Sequence, residues 1–276
     1  MCIAGFLWQG HPLYPLLVLH NRDEYHNRPT RAVEWWGGSE EMEDVLGGRD
    51  DAAGGTWLAC SRGGKVAFLT NVLELHPVPN AKTRGELPLL FLHSCKSPRG
   101  FAEELVKEAH HYNGFNLIIS DISSNTMVYV SNRPKGGAVV VQDVSPGLHV
   151  LTNGKLDSPW PKAQKLEMGF KEQLFKCGEG EVRLKEMARK LMRDRVPACN
   201  NRLPGICDVE WELALSSIFV EVNTPKGWCG TRSTIALSVG RNGEVTFDET
   251  YLEDGTWKEK TINYRIYNQK LKQLTR

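Results

Sequence analysis

The chain has 276 residues and a formal net charge of +1, from 34 Lys+Arg against 33 Asp+Glu, with 41% hydrophobic and 24% charged residues. These proportions exclude a disordered, collagenous or low-complexity chain. The near-neutral balance argues against wholesale binding to nucleic acid. Length alone predicts one large domain or two small ones, with room for a sizeable core. No apolar run reaches the roughly 20 residues of a membrane span; the longest, Leu13 to Leu19, is broken by Tyr14 and Pro15. The first ten residues carry no basic segment of the secretory type, and charge arrives at Arg22, Asp23 and Glu24. This predicts a cytoplasmic protein. Seven cysteines with irregular spacing fit that reading, because an odd set in a chain of this size is not a disulfide framework.

Taken in order, the first third reads as strands and turns. Cys2 to Trp8 and Tyr14 to His20 are two apolar runs of strand length across Gln9, Gly10, His11 and Pro12, a predicted hairpin. Gly37-Gly38, Gly47-Gly48 and Gly54-Gly55 predict turns from Trp36 to Gly55. Strands follow at Thr56–Cys60 and Lys65–Thr70. A helix is predicted from Ser97 to His111, with Ser97-Pro98 as cap and first-turn proline. Asn116–Asp121 and Thr126–Asn132 read as a hairpin, and Val139–Val141 and His149–Thr152 continue the strand character. Ser158 to Ser217 is helical in tone around an irregular Pro197–Pro204 insert, and strands return at Ser233–Val239, Glu244–Thr250 and Lys260–Tyr267. This order is not a βαβα alternation. It predicts a single α+β domain over residues 1–276, with antiparallel sheets and helices packed outside.

Three features carry chemistry. Cys2 follows the initiator Met, and a small second residue permits removal of Met1. A terminal Cys brings its own base, since an α-amine titrates near pH 7.7–8.0 and a thiol near 8.5. The tetrad Asn21-Arg22-Asp23-Glu24 ends the second apolar run. In the hairpin that end returns beside Cys2, where a carboxylate orients an ammonium and a guanidinium favours a thiolate. Asn71, Asn153 and Arg232 each stand at the end or start of an apolar run, where an Asn amide can donate to an oxyanion. Trp57 and Trp160 read as core or pocket wall. No zinc spacing and no Cys-x-x-Cys-His haem motif is present in the sequence.

Eight ordered motifs together resemble the transport and Golgi organisation 2 family, also called the NRDE family. They are Met1-Cys2-Ile3, Asn21-Arg22-Asp23-Glu24 with Arg28-Pro29, Gly54-Gly55-Thr56-Trp57, Leu69-Thr70-Asn71, Arg84-Gly85-Glu86-Leu87, Tyr112 to Leu117, Ser158-Pro159-Trp160-Pro161-Lys162 and Gly230-Thr231-Arg232. The resemblance runs from Met1 to about Thr250. It implies a fold similar to the N-terminal nucleophile hydrolases, an αββα sandwich of two antiparallel sheets between helical layers. By the pattern of related bile-salt hydrolases and penicillin V acylases, Cys2 would be nucleophile and Arg22 and Asp23 its charge partners. Asn71 and Asn153 would be oxyanion donors and Arg232 the late arginine; Asn21, Glu24, Trp57 and Trp160 would line the ligand site. In those hydrolases the Arg and Asp are separated by two residues, whereas Arg22 and Asp23 are adjacent and face opposite sides of a regular strand. Either Glu24 takes the carboxylate role or a bulge re-aims one side chain.

The family is associated with haem trafficking, lipid and acyl-CoA homeostasis, and Golgi and endoplasmic-reticulum organisation. The resemblance therefore implies a binder of a small hydrophobic ligand, with haem as cargo or acyl-CoA or lipid as ligand. Peripheral membrane association and a Golgi or mitochondrial location go with it; no metal and no nucleic acid are expected. The alternative is a Cys2-dependent amidohydrolase or thioesterase.

Overall fold

The computed structural model describes residues 2–37, 44–72 and 74–267. Met1, on which N-terminal processing turns, and Gly38 lie outside the described residues. Strands β1 (Ile3–Trp8), β2 (Leu16–Tyr25), β3 (Thr30–Trp36), β4 (Val45–Asp50), β5 (Leu58–Ser61) and β6 (Lys65–Asn71) come first. Helices α1 (Glu86–His93) and α2 (Pro98–Glu108) follow, then β7 (Phe115–Asp121), β8 (Thr126–Ser131), β9 (Val140–Asp143) and β10 (Gly147–Leu151). Helices α3 (Pro161–Cys177), α4 (Leu184–Leu191) and α5 (Val209–Ala214) precede β11 (Glu221–Thr224), β12 (Gly227–Val239), β13 (Glu244–Glu253) and β14 (Thr256–Arg265).

Every named strand pairs antiparallel. Among the described residues the first sheet runs β10-β1-β2-β12-β13-β14, with β11 added beside β12. The second runs β3-β4-β5-β6-β7-β8-β9. Period-two alternation then sorts the side chains into three apolar layers. Ala4, Phe6, Trp8, Leu16 and Val18 meet Leu58, Phe68, Ile118 and Tyr129 between the sheets. Phe6 and Phe68 stack edge to face there, centroids 5.2 Å apart. The other face of the first sheet (Ile3, Leu7, Leu17, Leu19) is covered by Leu166 and Phe170 of α3 and Met187 of α4. The outer face of the second (Ala59, Ala67, Leu69, Leu117) is covered by Phe91 of α1 and Phe101 and Leu105 of α2. This is the expected αββα sandwich. No described helix is long and apolar enough to cross a membrane.

Four local expectations are corrected. The stretch read as turns contains β4, with Gly47 and Gly48 inside it. A Cβ on Gly47 would stand 2.8 Å from both Ala59 Cβ and the Leu58 carbonyl, so this pair permits close strand approach rather than a turn. Second, β2 does not stop at His20 but runs to Tyr25, because β12 pairs along its polar end from Asn21 to Tyr25. Third, α1 was not read from the sequence: Pro88 sits within it, and its eight residues are nearly all apolar without a clear polar face. Fourth, β3 and β11 were likewise not read as strands. The helix expected at 97–111 is α2, capped by Ser97 Oγ accepting from Gly100 N at 3.2 Å, followed by a 3₁₀ turn over Ala109–His111.

Candidate functional site

The site forms at one end of the sandwich, where several strand termini meet. β1 begins there and β2 ends there. β6 ends at Asn71, β10 runs out into Thr152 and Asn153, and α3 opens with Pro161 and Lys162. The hairpin register Ile3↔Asn21 brings Cys2 beside Arg22. Cys2 is 1% exposed. Burial pushes its thiol up to about 11, against the lowering effect of a hydrogen bond from the Asp23 backbone amide.

Alternation along β2 divides its polar end into two sets. His20, Arg22 and Glu24 share one parity, and Asn21 and Asp23 the other. Arg22 points between the sheets. Its guanidinium lies 4.7 Å from the Trp57 ring centre, and its Nη2 donates to Thr30 Oγ1 at 3.3 Å. Arg22 Nη1 and Glu249 Oε1 both lie over Gly48, 3.5 Å and 3.6 Å from where a Cβ would stand, and Glu249 favours the charged guanidinium. Cys2 and Glu24 also act electrostatically on Arg22. His20 lies behind it, fully buried, and its imidazole is pushed down to about 3 by burial and by Arg22.

Asp23 points the other way, toward the helices. Thr231 Oγ1 donates to its Oδ1 at 2.6 Å, and the Val220 amide in turn donates to Thr231 Oγ1 at 2.9 Å. Burial raises the Asp23 carboxyl above its usual range, opposed in part by Lys162. The register irregularity lies not in β2 but in β12, between Thr231 and Ser233. It therefore re-aims Arg232 rather than Arg22 or Asp23, and the adjacent pair keeps its opposite facing. Arg232 turns back along the chain, its Nη1 donating to the carbonyls of Tyr25 at 3.1 Å and of Arg28. Arg28 itself grips Asp50 through Nε at 3.0 Å and Nη2 at 2.6 Å, which ties the end of β2 to β4. Glu24 Oε1 accepts the Tyr25 amide at 2.8 Å.

The two asparagines expected at the site are in direct contact. Asn153 Nδ2 donates to the Asn71 carbonyl at 2.7 Å; Asn153 is buried and Asn71 half-buried. Polar residues of the second sheet hold this loop. Asn116 Nδ2 donates to Gly154 O at 2.7 Å, Tyr129 Oη donates to Asn116 Oδ1 at 2.8 Å, and Thr70 Oγ1 donates to the Thr152 carbonyl. Two expected ligand contacts stand apart. Asn21 is committed to the fold: its amide donates to Met192 O at 2.8 Å and Ile218 O at 2.9 Å, and Thr234 Oγ1 donates to its Oδ1 at 2.7 Å. Trp160 packs beside the α3 core and against Gly154.

Sequence reasoning missed two cations. Arg84 stands near Cys2 and Glu24, and burial lowers its pKa; its Nη1 is anchored to Gly114 O at 2.9 Å. Lys162, 4% exposed, acts on both Asp23 and Cys2. Both residues lie inside motifs quoted above, so the signal was present without an assigned role. A groove of about 580 Å³ runs from Lys162 along α3 to Met168, walled opposite by Val196, Pro197, Cys199 and Ile218. Among the described residues no cluster of three or more potential ligands could hold a metal ion.

Two antiparallel sheets packed face to face, with helices on both outer faces, give an N-terminal nucleophile hydrolase-like fold. Structures of conjugated bile acid hydrolase from Clostridium perfringens share this fold. A mutant of it aligns with TM-score 0.51 at 11% identity over 98% of each chain. A second variant aligns at 0.52 and 13% over 97% of each. At such identities the likeness is one of fold. The chain belongs to the Transport and Golgi organisation 2 family, which it matches over residues 1–254. It is 31% identical to the Transport and Golgi organization 2 homolog of Mus musculus, covering 96% of this chain and 99% of that one. Against the Bos taurus homolog the identity is 33% over the same shares.

Proposed function

We propose that this protein is a cysteine-dependent acyl-transfer hydrolase, cleaving an amide or a thioester, with Cys2 as nucleophile after removal of Met1. The observation that carries the reading is the convergence on Cys2: Arg22 on its own face of the sheet and the Asp23 amide bonded to its sulfur. In this reading the freed α-amine of Cys2 takes the thiol proton and the thiolate attacks the carbonyl carbon. The tetrahedral oxyanion takes amide donors from Asn71 and Asn153. The leaving amine or thiol departs with the proton held by the α-ammonium. Water then attacks the thioester on Cys2, losing its proton to the amine and releasing the acid. Asp23 orients the ammonium; Arg22 and Arg84 offset the negative charge of the thiolate.

A second reading, a carrier of haem or of an acyl chain, draws support from the α3 groove, whose apolar wall and volume suit a small hydrophobic ligand. In either role, a Golgi association accords with the family's name.

Intact mass after exposure to p-nitrophenyl esters, with haem titrated in parallel, tests both readings. A single acyl adduct on Cys2, abolished in Cys2→Ala, is expected. No adduct on protein shown to lack Met1, with saturable haem binding that survives Cys2→Ala, would instead select the carrier.

A further inference from the structure

Lys162 is an expensive residue where it stands. It occupies the first turn of α3, where a positive charge opposes the helix dipole. It is 4% exposed, between Pro161 and the core residue Ala163. A buried ammonium is costly without a counter-charge, and an apolar side chain would pack there more readily. The hydrogen bond it makes runs from Nζ to the Leu215 carbonyl at 3.1 Å, which satisfies a donor but not the charge. Glu212, the nearby buried carboxylate of α5, is already committed to backbone amides, Gly205 N at 2.9 Å and Cys207 N at 3.0 Å among them. The carboxylate that acts on Lys162 is Asp23, on the helix-facing side of β2, and the next group is the Cys2 thiol.

We propose that Lys162 is a positioning residue of the Cys2 site that acts through Asp23, holding this carboxylate as the counter-charge that orients the α-amine of Cys2. The inference rests on the reading of Cys2 as nucleophile. Asp23 is faced by the Cys2 thiol just ahead of β1, Glu24 of its own strand, the Thr231 hydroxyl of β12 and Lys162. Lys162 alone among these side chains is a cation. Removing it makes Asp23 easier to protonate, so the acid limb of Cys2 reactivity moves to higher pH. The device binds the entry of α3 to the nucleophile and explains why a lysine closes the Ser158-Pro159-Trp160-Pro161 segment.

The test is the pH profile of Cys2 alkylation by iodoacetamide, resolved by peptide mass spectrometry on the full chain lacking Met1. Lys162→Met is expected to shift the acid limb upward by about one pH unit, a roughly tenfold slower reaction on that limb. Lys162→Arg should restore most of it, and in an Asp23→Asn background most of the shift should vanish. Superposable profiles for wild type and Lys162→Met overturn the role of Lys162 alone, as does an undiminished shift in the Asp23→Asn background. If Lys162→Met fails to fold, Lys162→Gln takes its place, read by the same criteria. Absence of Cys2 labelling in folded wild-type protein at every pH overturns the nucleophile reading and this inference with it.

Discussion

His149 and Asp157 show how one pair can be read through its charge. His149 Nδ1 meets Asp157 Oδ2 at 2.8 Å, and the other oxygen of Asp157 accepts the Val150 amide at 2.9 Å. Burial alone would lower the pKa of His149, but Asp157 and the Ser145 carbonyl outweigh it and the net shift is upward. The imidazolium is thus favoured in the folded state. Its stabilising contribution is fully present below the unfolded pKa of about 6.5 and is lost as pH rises through the higher folded value. Asp157→Asn should therefore lower stability near pH 5 by up to about 1 kcal/mol, since Asp157 is half exposed, and change little near pH 9. Urea melts at the two pH values check this; an equal loss at both would show that the backbone hydrogen bond, not the ion pair, matters. Nothing in the sequence joined these two residues, because the turn that returns Asp157 to β10 is irregular.

At the scale of elements, the bulge in β12 organises the site. Gly230 precedes it, and a Cβ there would stand 2.2 Å from the Val220 carbonyl. That approach lets the Val220 amide reach Thr231, whose hydroxyl holds Asp23. Gly230→Ala is expected to cost about 1–3 kcal/mol in denaturant melts, as overpacking does, and to slow Cys2 acylation as Thr231 moves. Acylation at the wild-type rate in Gly230→Ala would separate the bulge from the site. The sequence marked Gly230-Thr231-Arg232 as a strand start, and the motif falls at the bulge. It did not show that the irregularity falls on β12, because a bulge is decided by the pairing of two strands distant in the chain. The end of β2 makes the same point. Asn21 to Glu24 lies beyond the strand predicted to end at His20, yet it is strand, since β12 supplies hydrogen-bond partners that a hairpin with β1 alone could not.

At the scale of the molecule, the two sheets depend on the layer between them. Phe68 is fully buried opposite Phe6. Phe68→Ala should destabilise by about 3–5 kcal/mol, whereas Phe175, 89% exposed on α3, should tolerate Ser with almost no change. Comparable losses for the two would mean that α3 is covered in solution. The apolar runs of β1, β6 and β7 mark them as strands in the sequence, but both of their faces are buried, so which side chains lie between the sheets is decided by packing. The two-sheet sandwich follows from the resemblance of the eight motifs.

The sequence by itself thus determined the strand-rich order and the candidate role of Cys2, since these rest on local patterning and on residue chemistry. It also placed Arg22 and Asp23 near Cys2, because a hairpin register is short-range arithmetic. Only the tertiary structure decided which groups share that site. It joined Asn153 to Asn71, turned Asn21 to the helices, and brought Arg84 and Lys162 to Cys2 from segments far along the chain. Those meetings depend on how the two sheets and the outer helices pack, and the energy of packing is written in no local pattern.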